Sequence, residues 1–478
     1  MKLDPPQAIV AATAAPAHSD MNPRTRMLLQ APIASTLLKM AWPNLLVMLA
    51  QASTGLIETW WVSHLGNDAL TGMAVVFPGF MMMQMLSAGA MGGGISSAIA
   101  RALGARRHHD AEALVMHAAV LNVVIGAVGA AIFLIWGRAL YHAMGVDGGA
   151  LEAAMAYSNV VFGGSVLVWL MNALASIIRG TGNMLVPSLA VCVGVVLLVP
   201  LSPLLIFGYG PIHGMGIAGG GWAVVATTAI VTVVLAAYIL SGRCIVRFKP
   251  ARLRWDLTAD ILRVGAIAAV VSLQTSLTVL LTTALVGAYA GGDAVAGFGT
   301  GVRLEYLMVP LAFGFGGPLV AFVGTNIGAG NEARALRVAL IGGAMVFVLT
   351  ESVGLVAAIW PAAWLGLFGA EPQMIATGST YLRIVGPAYG FFGLGLSLYF
   401  ASQGAGRMIW PLMAGILRLI ISIGGGWLAL RLTGSLTWLF AALTLALVVY
   451  GSLIAGAVAS GVWFRKPKAS ADMLAKPA

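Results

Sequence analysis

The fold is decided by residues 217–254, IAGGGWAVVATTAIVTVVLAAYILSGRCIVRFKPARLR, where 25 residues without a charged side chain precede a basic segment. A transmembrane α-helix needs about 20 predominantly apolar residues to cross the hydrocarbon core of a bilayer. Loops on the cytoplasmic side of a membrane are enriched in lysine and arginine. Residues 217–241 are therefore predicted to form a transmembrane helix, and residues 242–263 a cytoplasmic loop.

Long apolar runs of the same kind occur along the whole chain, and short connections separate them. This spacing leaves no room for a folded soluble domain. The predicted spans, numbered 1 to 12, are 41–63, 70–100, 113–136, 152–177, 185–208, 217–241, 264–289, 295–324, 338–361, 376–402, 410–430 and 434–463.

Composition excludes most other classes of protein. Of the 478 residues, 60% are hydrophobic and 9% are charged, whereas a soluble domain carries about 25% charged residues. Two cysteines exclude a disulfide scaffold, and the scarcity of polar residues excludes disorder. The sequence has no Walker A motif, so we predict no direct use of ATP. It has no nucleophile–base pattern either, and we predict no enzymatic activity, no catalytic residues and no metal site.

The 26 basic residues predict how the chain crosses the membrane. The even-numbered connections and the two tails hold 21 of them, the odd-numbered connections hold two, and three lie inside predicted spans. By the positive-inside rule, both termini are predicted to be cytoplasmic. The net charge of +10 then reflects topology, and no nucleic-acid partner is predicted.

The chain is an internal duplication. The GTG sequence at residues 180–182 recurs as GAG at residues 404–406, and Tyr157 recurs as Tyr381 at the same offset. Further matches at nearly the same offset occur in several loops and spans. Because each copy has six spans, both copies keep one orientation, and parallel repeats of this kind enclose a cavity near the bilayer midplane.

The predicted fold class is an all-α polytopic membrane protein with twelve transmembrane helices in two six-helix pseudo-symmetric bundles around a central cavity. The predicted parts are a cytoplasmic N-terminal tail (1–34), an N-terminal lobe (35–241), a basic cytoplasmic linker (242–263), a C-terminal lobe (264–463) and a cytoplasmic tail (464–478).

Several motifs resemble those of the multidrug and toxic compound extrusion (MATE) family, in the branch of DinF-like and NorM-like bacterial transporters. The resemblance covers roughly residues 35–465. Its motifs are WP at 42–43, IETWWVSHLG at 57–66, RGTGN at 179–183 with Pro187, VGTNIGAGN at 323–331, and QGAG at 403–406.

The resemblance implies a monomeric antiporter in the bacterial inner membrane that exports organic cations or amphiphilic drugs in exchange for H⁺ or Na⁺, without another cofactor. Its partners would be the bilayer and a small-molecule substrate. The position of Glu58 is commonly aspartate in this family, and that aspartate is implicated in cation coupling. Glutamate keeps the carboxylate, so the resemblance implies a coupling role for Glu58, although its longer side chain changes the coordination geometry.

Glu58 is also singled out by its position in the chain. It lies about five residues from the outer end of span 1, and no lysine or arginine occurs in any predicted span of the N-terminal lobe. An acidic residue within a membrane is functional by default. Glu58 is predicted to carry a proton or to bind Na⁺, with Gln51, Tyr157 and Asn172 as possible polar neighbours. The alternative is a glutamate at a helix end that is wetted by the outer vestibule.

The predicted C-terminal spans contain a second set of charges. Matching depths suggest that Arg303 pairs with Glu351 and that Glu305 reaches Arg383. We favour a paired network that stabilises the lobe, because breaking a buried pair costs about 3–5 kcal/mol. The alternative is a proton relay, or a carboxylate that mimics a substrate anion and faces the cavity. Arg418 has no obvious partner in the sequence, and we favour its extension towards the cytoplasmic surface.

Two other transport classes remain open. A flippase or exporter of a lipid-linked or anionic metabolite in the same superfamily is the first alternative. Such flippases usually have a strongly cationic cavity and often fourteen spans, whereas this chain combines twelve spans with three acids and three arginines. A channel is disfavoured because its charges would form rings around a pore.

Overall fold

The helices of the computed structural model confirm the predicted fold class. The structure describes residues 22–369, 371–461 and 463, so most of the two predicted tails lies outside the described residues. Eleven described helices are long and apolar enough to cross a membrane by themselves. The remaining span is a pair of helices that meet at Gly164 with a bend of 43°.

The twelve spans form two lobes, the N-lobe (spans 1–6) and the C-lobe (spans 7–12). The N-lobe spans are Ile33–Ser63, Asn67–Gly104, His108–Ala143, Gly148–Gly163 with Ser165–Gly180, Leu185–Phe207, and Ile217–Leu240. The C-lobe spans are Trp255–Gly292, Ala294–Gly328, Glu332–Ile359, Pro372–Ala405, Ile409–Thr433 and Leu436–Ala459. Short helices at Pro23–Gln30 and Pro361–Leu365 and an antiparallel hairpin, Gly208–Tyr209 with Ile212–His213, complete the described elements.

Several helices extend beyond the apolar runs that predicted them. Span 7 begins at Trp255, nine residues before the predicted start, and includes the charged residues Asp260 and Arg263. Hydropathy detects the part of a helix that is suited to hydrocarbon, whereas the backbone hydrogen bonds continue into polar turns at the membrane surface. The charged ends of the spans therefore remain helical.

Three spans contain π-helical or 3₁₀ segments. Span 2 has a π-helical segment at Met85–Met91, span 11 has one at Ile421–Gly425, and span 10 has a 3₁₀ turn at Gly386–Ala388. π-segments occur frequently at functional sites, because they rotate the following side chains relative to a regular helix. Two of these segments contribute residues to the cavities described below.

The two lobes contact each other towards the end of the molecule that carries residues 242–254, which we call the linker side. There, span 2 and span 8 cross with a reciprocal contact between equivalent residues. A Cβ atom on Gly104 would overlap the carbonyl oxygen of Thr325, and one on Gly328 would overlap that of Arg101. Only glycine permits this approach, and the two glycines occupy equivalent positions in the two repeats, as do Arg101 and Thr325.

Polar contacts across the same junction join the lobes. The guanidinium of Arg101 donates to both carboxylate oxygens of Asp260, at 2.8 and 2.9 Å, and also to the carbonyl of Gly404. Asn44 of span 1 donates to the carbonyl of Gly314 at 3.4 Å. The lobes are therefore held together on the linker side.

The linker packs against the N-lobe. The ammonium of Lys249 lies 2.6 Å from a carboxylate oxygen of Glu112, and the guanidinium of Arg254 lies 3.1 Å from one of Asp110. The backbone N–H of Arg254 donates to Nε2 of the buried His117 at 2.8 Å. The basic segment is thus held on the linker-side end of span 3 by side chains of that helix.

Candidate functional site

Glu58 is a buried carboxylate in the N-lobe, 9% exposed, near the end of span 1 opposite the linker side. Its Oε1 accepts no hydrogen bond from the described residues. Lys39 lies in the same helix, but about 28 Å away along the axis. The buried Tyr157 of span 4 interacts with Glu58 electrostatically. Glu58 therefore has a polar neighbour but no cation to neutralise it among the described residues.

The other two predicted neighbours lie elsewhere in the N-lobe. Gln51 is exposed and precedes Glu58 by two helical turns, about 10 Å, so the two side chains are not in contact. Asn172 is buried and donates to Oε1 of Gln84 at 3.1 Å and to Oγ of Ser87 at 2.9 Å. These bonds join span 4 to the π-segment region of span 2.

The C-lobe contains a second carboxylate next to a tyrosine. Glu305 of span 8 accepts a hydrogen bond from the hydroxyl of Tyr381, which lies 3.4 Å from the hydroxyl of Tyr389. Glu305 and Tyr381 line a cavity, which we call the C-lobe cavity. Its other polar side chains are Thr278, Thr282, Arg418 and Ser422.

Both ion pairs predicted for the C-lobe are wrong. Arg303 is exposed, with its guanidinium 5.3 Å from the centre of the Phe368 ring, and Glu351 accepts the backbone N–H of Gly390 at 2.7 Å. Arg383 is exposed, whereas Glu305 binds Tyr381. The sequence indicates how deep a residue lies along its helix. It does not indicate which neighbouring helix the side chain faces in the bundle.

The predicted extension of Arg418 to the membrane surface is also wrong. The side chain is 8% exposed, and its guanidinium lies 5.4 Å from the ring centres of both Phe392 and Tyr450. These contacts hold the positive charge inside the C-lobe. An aromatic face attracts a cation, which offsets part of the cost of its burial.

A second cavity lies between the lobes, and we call it the inter-lobe cavity. Met85 and Gly89 of the span 2 π-segment line its N-lobe wall, and Arg418 lines both this cavity and the C-lobe cavity. The remaining lining residues are Val271, Ser272, Thr275, Val309, Phe313, Phe392, Leu396, Tyr399 and Tyr450.

The comparisons with known proteins agree with this two-lobed arrangement. A family model described as MatE matches residues 43–204 and again residues 266–428, more than half of the chain. The chain belongs to the MATE family. Proteins of the MATE family are membrane transporters and not enzymes, and the relatives include proteins named for multidrug resistance.

Two relatives and one solved structure illustrate the range of similarity. A FAD transporter of Shewanella oneidensis is 27% identical over 400 residues, which cover 82% of this chain and 87% of that protein. A probable multidrug resistance protein NorM of Thermotoga maritima is 24% identical over 384 residues, which cover 80% of this chain and 82% of that protein. A solved transporter of the MOP superfamily from Pyrococcus furiosus has a TM-score of 0.83 at 23% identity, covering 92% and 98% of the two chains.

In both halves of this MATE protein a carboxylate interacts with one of two equivalent tyrosines. Tyr157 interacts electrostatically with Glu58 in the N-lobe, and Tyr381, its counterpart in the second repeat, donates a hydrogen bond to Glu305 in the C-lobe. The positions equivalent to Glu58 fall at residues 281–283, which are Leu, Thr and Thr, so span 8 supplies the C-lobe carboxylate instead. The Tyr157–Tyr381 repeat was visible in the sequence and could have indicated Tyr381 as a partner of Glu305, which our sequence analysis missed.

Proposed function

We propose that this protein is a secondary active antiporter that exports organic cations or amphiphilic drugs in exchange for H⁺ or Na⁺ by alternating access. The observation that carries the proposal is Glu58, a buried carboxylate without a cation beside it among the described residues. Such a group inside a membrane needs either a proton or a metal cation to offset the cost of its charge. No other cofactor is proposed.

Alternating access fits the arrangement of the lobes. Span 2 and span 8 meet closely on the linker side, while Glu58 lies towards the opposite end of span 1. An ion that enters from that end reaches Glu58 without passing the junction between the lobes. Binding and release of the ion would then favour different relative positions of the lobes, as in transporters built from two parallel repeats.

The proposed location is the bacterial inner membrane, with the linker side and both termini in the cytoplasm. The basic residues of the linker and of the loops after spans 2 and 8 support this orientation through the positive-inside rule. It places Glu58 near the outer side, where H⁺ or Na⁺ is supplied by an inward gradient. We further propose that the protein acts as a monomer.

A second candidate function is export of an anionic metabolite, or flipping of a lipid-linked one. Two observations favour it: the relative from Shewanella oneidensis is named a FAD transporter, and Arg418 places a positive charge at the inter-lobe cavity. Both functions share the same fold and the same exchange with an ion. They differ in the charge of the substrate.

The proposal is tested by uptake of a fluorescent organic cation into everted vesicles, under separately imposed proton and sodium gradients. Glu58→Gln removes the ionisable group at nearly constant volume and is expected to lower gradient-driven uptake at least tenfold. Glu58→Asp keeps the carboxylate and should retain uptake. Glu152→Gln, at a 65% exposed carboxylate in the same lobe, is the matched control.

Wild-type uptake by a correctly folded Glu58→Gln protein would contradict the coupling role. The proton and sodium arms identify the coupling ion, because only the gradient of that ion drives uptake. Counterflow of substrate in proteoliposomes distinguishes a carrier, which exchanges bound substrate across the membrane, from a channel.

A further inference from the structure

Arg418 lies at the wall between the C-lobe cavity and the inter-lobe cavity, and it lines both of them. It is the last arginine before the π-segment Ile421–Gly425 of span 11. With 8% of the residue exposed, its guanidinium is accessible mainly through these cavities. A molecule in either cavity therefore meets a fixed positive charge.

No described residue neutralises this charge directly. Among the residues that the structure describes, no carboxylate oxygen lies within 4.0 Å of the Arg418 guanidinium, and no hydrogen-bond acceptor binds it. Glu305, across the C-lobe cavity, interacts with it electrostatically but is hydrogen-bonded to Tyr381. A guanidinium has five N–H donors, and leaving buried donors unpaired is costly.

The inter-lobe cavity combines the guanidinium of Arg418 with aromatic rings. The hydroxyl of Tyr399 accepts a bond from the Gln403 amide at 2.9 Å and is also hydrogen-bonded to Ser272. The hydroxyls of Ser272 and Thr275 donate to carbonyls of their own helix, so Arg418 is the cavity's unpaired donor among these groups. No acidic residue is among the described residues that line the cavity. Rings of Phe313, Phe392, Tyr399 and Tyr450 complete it.

We infer that Arg418 is a specificity-determining residue that holds the acidic group of an aromatic amphiphile in the inter-lobe cavity. The inference rests on the proposed transport function and narrows its substrate class. A carboxylate, sulfonate or phosphate would accept N–H donors from Arg418, while the aromatic part packs on the neighbouring rings. A cationic amphiphile finds no carboxylate among the described residues of this cavity, because Glu305 lies on the other side of Arg418.

The test uses the full chain in lipid nanodiscs and three probes with one ring system: 2-naphthoate, its neutral amide 2-naphthamide, and 2-naphthylmethylammonium. Equilibrium binding is measured with wild type, Arg418→Gln, Arg418→Lys and Arg431→Gln. The last is a matched control, because Arg431 is an exposed arginine of the same span, located over the Trp427 ring. Gradient-driven uptake of 2-naphthoate and 2-naphthylmethylammonium is measured in proteoliposomes.

Wild type and Arg431→Gln are expected to bind 2-naphthoate at least tenfold more tightly than 2-naphthamide. Arg418→Gln is expected to lose this preference while it binds the amide as wild type does, and Arg418→Lys to keep part of it. Equal binding of acid and amide by wild type overturns the inference, even if no Arg418 variant folds. So does an undiminished preference in Arg418→Gln.

The uptake measurements separate this inference from the proposed function. Gradient-driven uptake of the cation, with no preference for the acid over the amide in binding, overturns the role of Arg418 and leaves the antiporter intact. Uptake of neither probe under a proton or a sodium gradient, with the preference for the acid still present in binding, overturns the antiport mechanism but supports the site at Arg418.

Discussion

Glu58, Glu305 and Glu351 are accommodated within their spans in three different ways. Glu58 interacts electrostatically with Tyr157 and has no cation nearby among the described residues, Glu305 accepts a hydrogen bond from Tyr381, and Glu351 accepts the N–H of Gly390. That these carboxylates would face protein or water was predictable from the sequence, because a charged residue inside an apolar run avoids lipid. Their partners were not predictable, because a partner depends on how neighbouring helices are rotated.

Glu351 is expected to stabilise the break in span 10. The 3₁₀ turn at Gly386–Ala388 directs the N–H of Tyr389 to the carbonyl of Gly386, and the N–H of Gly390 is bonded to the Glu351 carboxylate at 2.7 Å. Glu351→Ala leaves that N–H without its acceptor, and we expect it to lower the free energy of unfolding by about 1–3 kcal/mol. Glu351→Gln keeps an acceptor and should be close to wild type.

Thermal unfolding in detergent measures this effect through reaction of Cys244 with a thiol-specific dye, in a background where Cys192, the other free cysteine, is replaced by serine. Cys244 is 4% exposed in the linker, and burial raises the pKa of its thiol, so it reacts slowly until the protein unfolds. Equal unfolding temperatures for the alanine and glutamine variants would rule out the proposed role of Glu351.

At the level of helices, hydropathy located every span but not its internal shape. Predicted span 5, residues 185–208, matches the helix Leu185–Phe207 closely, because both ends of the apolar run coincide with helix ends. The bend at Gly164 and the π-segment at Met85–Met91 lie inside predicted spans, where the apolar pattern continues unbroken. Such breaks depend on how the helices pack against one another. The sequence of one span does not indicate those contacts.

The linker was predicted as a basic cytoplasmic segment, and its attachment to span 3 includes a part-buried hydrogen bond to a histidine. Nε2 of His117 accepts the N–H of Arg254, while Nδ1 lies 2.8 Å from the carbonyl of Ala113. We expect His117→Ala to destabilise the protein by about 1–3 kcal/mol, because the part-buried N–H loses its acceptor. Lys249→Ala, which removes an exposed ion pair with Glu112, should cost at most about 1 kcal/mol.

The Cys244 unfolding assay compares these two variants directly, because the reporting cysteine belongs to the linker. The expected order of unfolding temperatures, from highest to lowest, is wild type, then Lys249→Ala, then His117→Ala. If Lys249→Ala were the more destabilising of the two, the ionic contacts and not the histidine would hold the linker.

For the whole molecule, the duplication predicted more of the architecture than any single motif did. The constant offset between matching motifs indicated six spans per copy and a parallel arrangement, and the family model matches the chain twice at a similar spacing. The repeat did not predict at which end of the molecule the lobes meet. Two lobes related by one axis can rock so that they close at either end of it. It is determined by contacts between copies, such as that of Gly104 with Thr325.

The junction on the linker side should depend on the ion pair between Arg101 and Asp260. Arg101 belongs to the N-lobe and Asp260 to the C-lobe, and their side chains are 13% and 45% exposed. Exposed ion pairs contribute up to about 1 kcal/mol of free energy, and we take this upper value because the arginine is mostly buried. It corresponds to about a fivefold change in the equilibrium between closed and open lobes. Asp260→Asn is therefore expected to raise the open population about fivefold.

Electron–electron double resonance between spin labels at His109 and Ala333 measures this population. These residues are exposed, occupy equivalent positions in the two repeats, and lie at the starts of spans 3 and 9 on the linker side. The labels are attached to cysteines in a background without Cys192 and Cys244. Asp256→Asn is the matched control, since Asp256 is on the same helix as Asp260 but pairs with Arg254 of the adjoining linker. An unchanged distance distribution in Asp260→Asn would show that the lobes are held together without this ion pair, by the glycine contacts and the remaining hydrogen bonds of the junction.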